Sequence, residues 1–506
     1  MVKESSMSET KVKKAAEGDT LNKQGVGVIM MAAFAIGGTL ASGVFYLPGN
    51  MAYGGGIEGG VFGLGMLIGW IVCGLGIFSL VLAYYALSVS KPEMKSGLYT
   101  YSKAGFGEYV GFNVAWGYWA SALLAQVSFC IALFTGLGQF IPAFEGGATA
   151  PAIICASILI WLFVLLISRG VKEALGVNLA VVIAKVIPIF TLIVVIIFGM
   201  HFKLSIFMDN FTGGSNAAPL FDQVKATMMF TVWVFVGFEA AIVASGRSKD
   251  AKTAGKGTLV SFICLLVIYV SISLLSMGVM SQADLYKLGE NGELSVGHVM
   301  AEILGGWGMT FVAIAVIISV GGAMYNYTLL CAECCYMPAK DGTFPKALAK
   351  TNKHDAPIAS LIFTMAVVQL FLIITLVWSS GYYAMLSISA SMIMFPYFVS
   401  ALYSVKVTAK GENLWAQKSG GSKLFFMIVT IFASLYGVWM LYAAGLDYAL
   451  ITALLYAPGV IIHIVARKQR GLKAFDNVFE IGLFVVILVA FVASIVLIAN
   501  GTLQPF

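Results

Sequence analysis

Thirteen apolar runs occupy most of this 506-residue chain and limit what it can fold into. Each run is long enough to cross a bilayer as a helix, which takes roughly 17 to 25 residues. Only 11% of the residues are charged, whereas soluble domains carry about 25%. The sequence therefore predicts an all-α polytopic membrane protein. The predicted spans lie near residues 27–53, 59–87, 110–141, 150–168, 178–200, 221–245, 258–281, 305–335, 358–378, 382–406, 424–445, 447–466 and 479–499.

The distribution of Lys and Arg predicts the orientation in the membrane. With the N-terminus in the cytoplasm, the inner segments contain 26 of the 30 Lys and Arg residues, as the positive-inside rule requires. Residues 1–24 are then a cytoplasmic tail, and the odd number of spans places the C-terminus outside the cell. The net charge of +6 is explained by this topology. We therefore expect the lipid bilayer, and no nucleic acid, as a partner.

Residue patterns typical of enzymes and metal sites are absent from the sequence. The four histidines lie far apart, so no metal-binding pair at helical spacing can be drawn. Cys331, Cys334 and Cys335 share one helix face, but they have no further ligand at a suitable spacing and are interpreted as buried structural thiols. No glycine-rich phosphate loop occurs. We expect no enzymatic activity, metal or cofactor, which leaves a transporter, channel or receptor.

The first span contains the sequence "IGGTLASGVFYLPGN" from Ile36 to Asn50, which predicts an interrupted helix. At membrane depth such a break is tolerated only where its free backbone groups meet protein, water or a ligand. The alternative is that the glycines only allow two helices to pack closely. A second break is predicted in the sixth span, "TVWVFVGFEAAIVASGRSK", at Gly237 and Glu239.

The two predicted breaks lie five spans apart. Paired interrupted helices in two five-span halves are typical of an inverted repeat that holds its substrate between them. A helix N-terminus exposed at a break carries about half a positive charge and suits a carboxylate. The breaks therefore predict a substrate with an amino-acid-like head group.

Four stretches of the chain resemble a known family: "GGTLASGVFYLP", "SGLYTYSKAGFGEYVGFNVAWGYW", "TVWVFVGFEAA" and "YTLLCAECCYMPAKDGTFP". They are similar to the amino acid, polyamine and organocation transporters, and among these to the basic amino acid antiporters, in particular the arginine/ornithine antiporters, which also have a thirteenth span. The resemblance covers about residues 25–466. It implies a leucine-transporter-like fold with repeats at 25–200 and 221–406 and interrupted helices 1 and 6, followed by C-terminal helices at 424–506.

The function implied by the resemblance is exchange of arginine for ornithine across the cell membrane by alternating access. Relatives are often dimers, so a homodimer is one candidate assembly. Three alternatives stay open from the residues alone. The first is a proton-coupled symporter of cationic amino acids, and the second is an exchanger of another amino acid and its amine, such as histidine and histamine. The third is a receptor with a transporter-like fold.

The resemblance also implies a set of site residues. Trp233 matches an aromatic lid that closes over the substrate, and Tyr118 and Tyr397 match tyrosines near the gates. Tyr327 stands where the family has a pocket-lining Trp, so the resemblance implies a basic substrate more directly than arginine itself. The implied substrate-binding residues are Thr39, Ser42, Gly43, Gln126, Trp233, Glu239, Tyr327 and Ser389.

Two charged residues lie within predicted spans. A carboxylate at the bilayer centre costs at least about 2.5 to 3.5 kcal/mol, so Glu239 is expected to be protonated or balanced by a cation. That cation is either the substrate or a permanent partner on another helix. Lys185, in "VVIAKVIPIF", matches a lysine that takes the place of a sodium ion in some sodium-independent relatives. We expect it to donate to carbonyls freed at Gly37–Ala41; the alternatives are proton coupling and snorkelling to an interface.

Overall fold

The computed structural model describes residues 27–94, 97–170, 175–214, 217–239, 249, 251–377 and 381–503. Regular structure in these ranges is entirely helical, which confirms the predicted all-α class. Short 3-10 helices occur at Pro142–Phe144, Lys346–Ala349 and Ala416–Lys418. The α-helices of the described ranges, α1 to α19 in chain order, are Val28–Thr39, Gly43–Tyr53, Gly63–Ser90, Leu98–Phe106, Glu108–Gly138, Ala150–Ser168, Leu175–Phe198, Leu204–Thr212, Leu220–Ala226, Met228–Phe235, Ala251–Ser276, Gln282–Glu290, Ser295–Leu304, Gly306–Lys340, Ile358–Val377, Gly381–Ala409, Gly420–Tyr456, Gly459–Gln469 and Val478–Ala499.

The number and length of these helices are those of a multi-pass membrane protein. Among the described residues, nine helices are long and apolar enough to cross a membrane, or ten if α1 and α2 form one bent span. The first part of the predicted sixth span forms α9 and α10, and its last residues, 240–245, lie outside the described ranges. The total of thirteen spans therefore stays a prediction.

The predicted boundary between the eleventh and twelfth spans coincides with a kink. Helix α17 passes through the predicted boundary, but Gly445 inside it has φ 86° and ψ 165°, which no helix accommodates. The helix then ends at Tyr456, before Pro458, and α18 begins at Gly459. Proline lacks the backbone N–H that would continue the helical bonding. The region predicted as one span at 447–466 is thus divided in two.

The predicted break in the first span is present, and the helix of the sixth span ends where its break is predicted; these two places lie against each other. Helices α1 and α2 meet at 56° across the residues between Thr39 and Gly43. Helix α10 ends at Phe235, and Gly237 follows with φ +101°, a conformation that side chains other than glycine rarely adopt. A Cβ atom on Gly237 would lie 3.4 Å from Gly38 O. The fold therefore brings the two irregular backbone segments into contact at one place.

Helix α5 is the central element of the helix bundle, and its side chains are buried over almost the whole length. It packs against α14 and α16, whereas α19 lies at the periphery on α17. Small residues allow close helix contacts in a membrane, where apolar burial gives little driving force. An example is Gly76 on α3, where a Cβ would lie 2.2 Å from the ring of Tyr436 on α17.

Candidate functional site

A small cavity lies where the two helix breaks meet α5 and α14. Its volume is about 20 Å³, and about 10 to 15 Å³ is needed for one water molecule. In this conformation it is therefore too small for an amino acid. The residues lining it are Gly38, Thr39, Ala41, Gly43, Val44, Ala125, Phe129, Trp233, Val234, Val236 and Tyr327.

Four of the predicted binding residues line this central cavity: Thr39, Gly43, Trp233 and Tyr327. The Thr39 hydroxyl donates to Ala35 O at 2.8 Å, within its own helix. Trp233 packs directly on α2, because a Cβ on Gly43 would lie 2.8 Å from its Nε1 atom. A larger residue in place of Gly43 would push the indole away from the break. The absence of a side chain at this position thus allows Trp233 to lie against the break.

Three other predicted binding residues do not line the cavity. Gln126 is fully buried and donates through Nε2 to Thr328 Oγ1 on α14 at 2.9 Å. Ser389 donates to Ser121 O on α5 at 2.7 Å. The Ser42 hydroxyl is buried at the break and has no hydrogen-bond partner among the described residues. In this conformation Gln126 therefore links α5 to α14, and Ser389 links α16 to α5.

Glu239, two residues after the sixth-span break, lies between two tyrosines. Its carboxylate is fully buried and accepts hydrogen bonds from the hydroxyls of Tyr118 at 2.7 Å and Tyr397 at 2.9 Å. Tyr118 comes from α5 and Tyr397 from α16, so the carboxylate connects three segments. The described part of the chain contains no ion pair to Glu239. A permanent cationic partner is therefore not found among the described residues.

Lys185 on α7 lies at the break between α1 and α2. Its side chain is 2% exposed, and Nζ donates to Gly37 O at 2.8 Å. The contact expected from the sequence is therefore present, and burial of this extent excludes snorkelling to an interface. An ammonium group thus pairs with a carbonyl that the helix break sets free. The part that this contact plays in transport stays a prediction.

A second cavity of about 110 Å³ lies on the side of Tyr118 where α5 begins and α14 ends. Along α14, Tyr327 lines the central cavity, and Leu330 and Cys334 line this second cavity. These positions are three and four residues apart and share one helix face. The residues lining the second cavity, here called the inner cavity, are Gly97, Leu98, Tyr99, Ala115, Tyr118, Leu330, Glu333, Cys334, Met337 and Pro338.

Sequence reasoning missed Phe129 and Ala125, which line the central cavity from α5. Counting along the helix from Tyr118 would have found them, because residues seven and eleven positions later lie on the same face. It also treated Tyr118 and Tyr397 as separate gate residues, whereas both hydroxyls bind Glu239. No local pattern relates these two tyrosines, which belong to distant helices.

Comparison with known proteins shows the family. The model of the amino acid permease family matches residues 27–466. An arginine/ornithine antiporter of Pseudomonas aeruginosa is 39% identical over 92% of this chain and 95% of its own. An L-lysine transport protein of Corynebacterium glutamicum is 32% identical over 97% and 98%.

An arginine/agmatine antiporter of Chlamydia abortus is a further relative, 33% identical over 89% of this chain and 92% of its own. All three relatives are transporters by name, and the described part of this chain has the apolar helices that membrane transport requires. The protein is therefore a member of the amino acid permease family, a multi-pass membrane protein that transports amino acids.

Proposed function

We propose that this protein exchanges arginine for ornithine across the cell membrane by alternating access. The observation that carries the proposal is Glu239, a fully buried carboxylate beside a helix break that has no ion pair among the described residues. A charge at such depth costs at least about 2.5 to 3.5 kcal/mol. A cationic substrate would offset this cost when it binds. The name of the arginine/ornithine antiporter among the relatives supports the same substrates.

The substrate head group would bind at the first-span break. Helix α2 begins at Gly43, and the first amides of a helix have no partner within it. Their partial positive charge suits the substrate carboxylate, and the hydroxyls of Thr39 and Ser42 would add hydrogen bonds. Glu239 would attract the side-chain cation through an electrostatic interaction that its burial leaves weakly screened. Gln126, Tyr327 and Ser389 would complete the site once it widens.

The architecture proposed with this function is an inverted pair of five-helix repeats, at 25–200 and 221–406, within thirteen spans. The contact between the breaks at Gly38 and Gly237 supports it, because such repeats place their interrupted helices together. The N-terminus would be cytoplasmic and the C-terminus extracellular. The helices at 424–506 would flank the repeats. A homodimer is the proposed assembly.

Strict exchange requires that the protein does not reorient without substrate. A ligand lowers the reorientation barrier only if it binds the occluded intermediate better than the open states. Closing Trp233 over an aliphatic stem and a cation would supply such a preference, with a cation–π contribution of about 0.5 to 2 kcal/mol. Because arginine and ornithine carry the same charge, one-for-one exchange would be electroneutral.

Arginine uptake into proteoliposomes tests the proposal. Vesicles preloaded with ornithine should take up arginine at least about tenfold faster than empty vesicles, since exchange removes the barrier to reorientation without substrate. Accumulation driven by a pH gradient in empty vesicles would instead support proton-coupled symport. Preloading with histamine and assaying histidine uptake tests the other exchange pair. No stimulated flux of any of these substrates would contradict the proposal.

We predict that Lys185→Ala slows exchange by about tenfold or more. The substitution leaves Gly37 O without its partner in a buried break, which destabilises the states in which α1 and α7 are in contact. Arginine affinity, measured by calorimetry, should change much less than the rate. Lys203→Ala, which removes an exposed lysine at the start of α8, is the matched control. Wild-type exchange by Lys185→Ala would rule out this role.

We predict that Glu239→Gln lowers the affinity for arginine and ornithine by about tenfold and leaves that for citrulline unchanged. Glutamine keeps the shape of the side chain and can still bond both tyrosine hydroxyls, so only the charge is removed. Calorimetry with the three ligands measures the difference. Glu302→Gln is the control, because this carboxylate lines a surface pocket next to α12 and α13. An equal loss for all three ligands would show that Glu239 is structural.

We predict that Trp233→Leu lowers exchange far more than arginine affinity, because the lid is lost while the rest of the site remains. The stacking lost is about 0.5 to 2 kcal/mol, which is not enough to abolish binding. Counterflow in proteoliposomes and thermal unfolding with saturating arginine separate this role from packing. A variant that unfolds early and regains full exchange at low temperature would identify Trp233 as a packing residue.

A further inference from the structure

The C-terminal helices contact the start of α5 through a buried carboxylate. Glu480, the third residue of α19, is fully buried. Its Oε1 atom accepts a hydrogen bond from Tyr109 N at 3.0 Å, and its Oε2 atom accepts one from Asp476 N at 2.8 Å. Tyr109 N belongs to the first turn of α5, where backbone amides have no partner within the helix. One side chain therefore connects the beginnings of two helices.

This contact has the properties of a specific link. Glu480 lies at the N-termini of α5 and α19, whose dipoles both favour a negative charge. The backbone also approaches Glu480 closely at Gly107. A Cβ there would lie 2.4 Å from Glu480 Oε1, so only glycine leaves room for the carboxylate. Gly107 has φ +106°, a conformation that suits glycine. Both the glycine conformation at Gly107 and the partial positive charge of the α5 N-terminus thus favour this carboxylate at the start of α5.

A second link lies beside the first, around Glu108. Arg470, between α18 and α19, binds the Glu108 carboxylate with both terminal nitrogens, at 3.0 and 3.3 Å. Lys103 of α4 lies 3.2 Å from the same carboxylate. Arg470 also donates to Gly342 O, just after α14, at 3.4 Å. The segment between α18 and α19 therefore contacts the start of α5 and the end of α14, and it shares the Glu108 carboxylate with Lys103 of α4.

Helices α5 and α14 are the two that line both cavities, so the spacing of their ends affects the width of the inner cavity. Tyr118 lies ten residues after Glu108, about 15 Å along α5. Because Glu108 and Tyr118 belong to one continuous helix, a displacement at the start of α5 would also move Tyr118, which donates to Glu239. Helix α19 itself lies beyond residues 27–466, the part that matches the family model.

We propose that Glu480 is a positioning residue that ties the start of α5 to the segment before α19. Because Arg470 of that segment contacts Gly342 just after α14, this link holds the two helix ends together and so keeps the inner cavity narrow. The C-terminal helices then act on the gate at Tyr118 without touching the substrate. This inference rests on the proposed exchange function only for its transport readout. The width of the inner cavity can be measured without any transport.

The native thiol of Cys334 reports on the inner cavity, because it is half-buried and lines that cavity. In detergent-solubilised protein whose other cysteines are replaced, Glu480→Ala should raise the rate of Cys334 modification by a bulky maleimide at least about threefold. Gly107→Ala should also raise the rate of Cys334 modification, because the added Cβ would push the Glu480 carboxylate away from the start of α5. Exchange in proteoliposomes should slow by a similar factor in both variants.

Ser494→Ala is the matched control. Ser494 is also buried on α19, but its hydroxyl donates to Leu450 O on α17 at 2.7 Å and to Ala490 O of its own helix, not to α5. Glu480→Gln keeps the side-chain volume and serves if Glu480→Ala does not fold. Cys334 modification rates that match those of Ser494→Ala would overturn the inference. Faster modification in a protein that exchanges no arginine for ornithine would contradict the proposed function alone.

Discussion

Backbone groups without hydrogen-bond partners are the constraint on which this structure depends. In a membrane each such group costs several kcal/mol, yet the chain interrupts two helices side by side. One freed carbonyl, Gly37 O, is bound by Lys185. Another, Val234 O at the end of α10, accepts the hydroxyl of Tyr269. Residues of both breaks, Gly38, Thr39, Ala41 and Val236, line the central cavity, so the irregular backbone forms part of its wall.

Two buried carboxylates form hydrogen bonds with helix α5 at two different positions along its length. Glu239 is bound by tyrosines of α5 and α16, and Glu480 binds the start of the same α5. Helix α5 therefore supplies a hydrogen-bond donor to each of the two carboxylates: the Tyr118 hydroxyl to Glu239 and the Tyr109 amide to Glu480. If the start of α5 is displaced, Tyr118 on the same helix is displaced with it. In the proposed mechanism this is how the peripheral C-terminal helices influence the central site.

The sequence predicts those features of the site that depend on local chemistry. Clustered glycines predict where the helices break, and a lysine within an apolar run predicts a contact with freed carbonyls. It does not predict that Tyr118 and Tyr397 share a carboxylate, because 279 positions separate them and helical periodicity extends over one helix only. Gln126 and Ser389 show a second limit. A polar side chain in an apolar span can bind a ligand or a neighbouring helix, and its sequence context is the same in both cases.

The volume of the central cavity, about 20 Å³, has a consequence for measured binding constants. A ligand larger than water binds only to those molecules in which the helices that line this cavity have moved apart. The apparent dissociation constant is then the intrinsic constant divided by the fraction of molecules in that widened form. A substitution far from the cavity that alters this fraction changes affinity without altering any contact to the ligand. The measured affinity of this protein therefore depends on the fraction of molecules in the widened form as well as on the groups that contact the substrate.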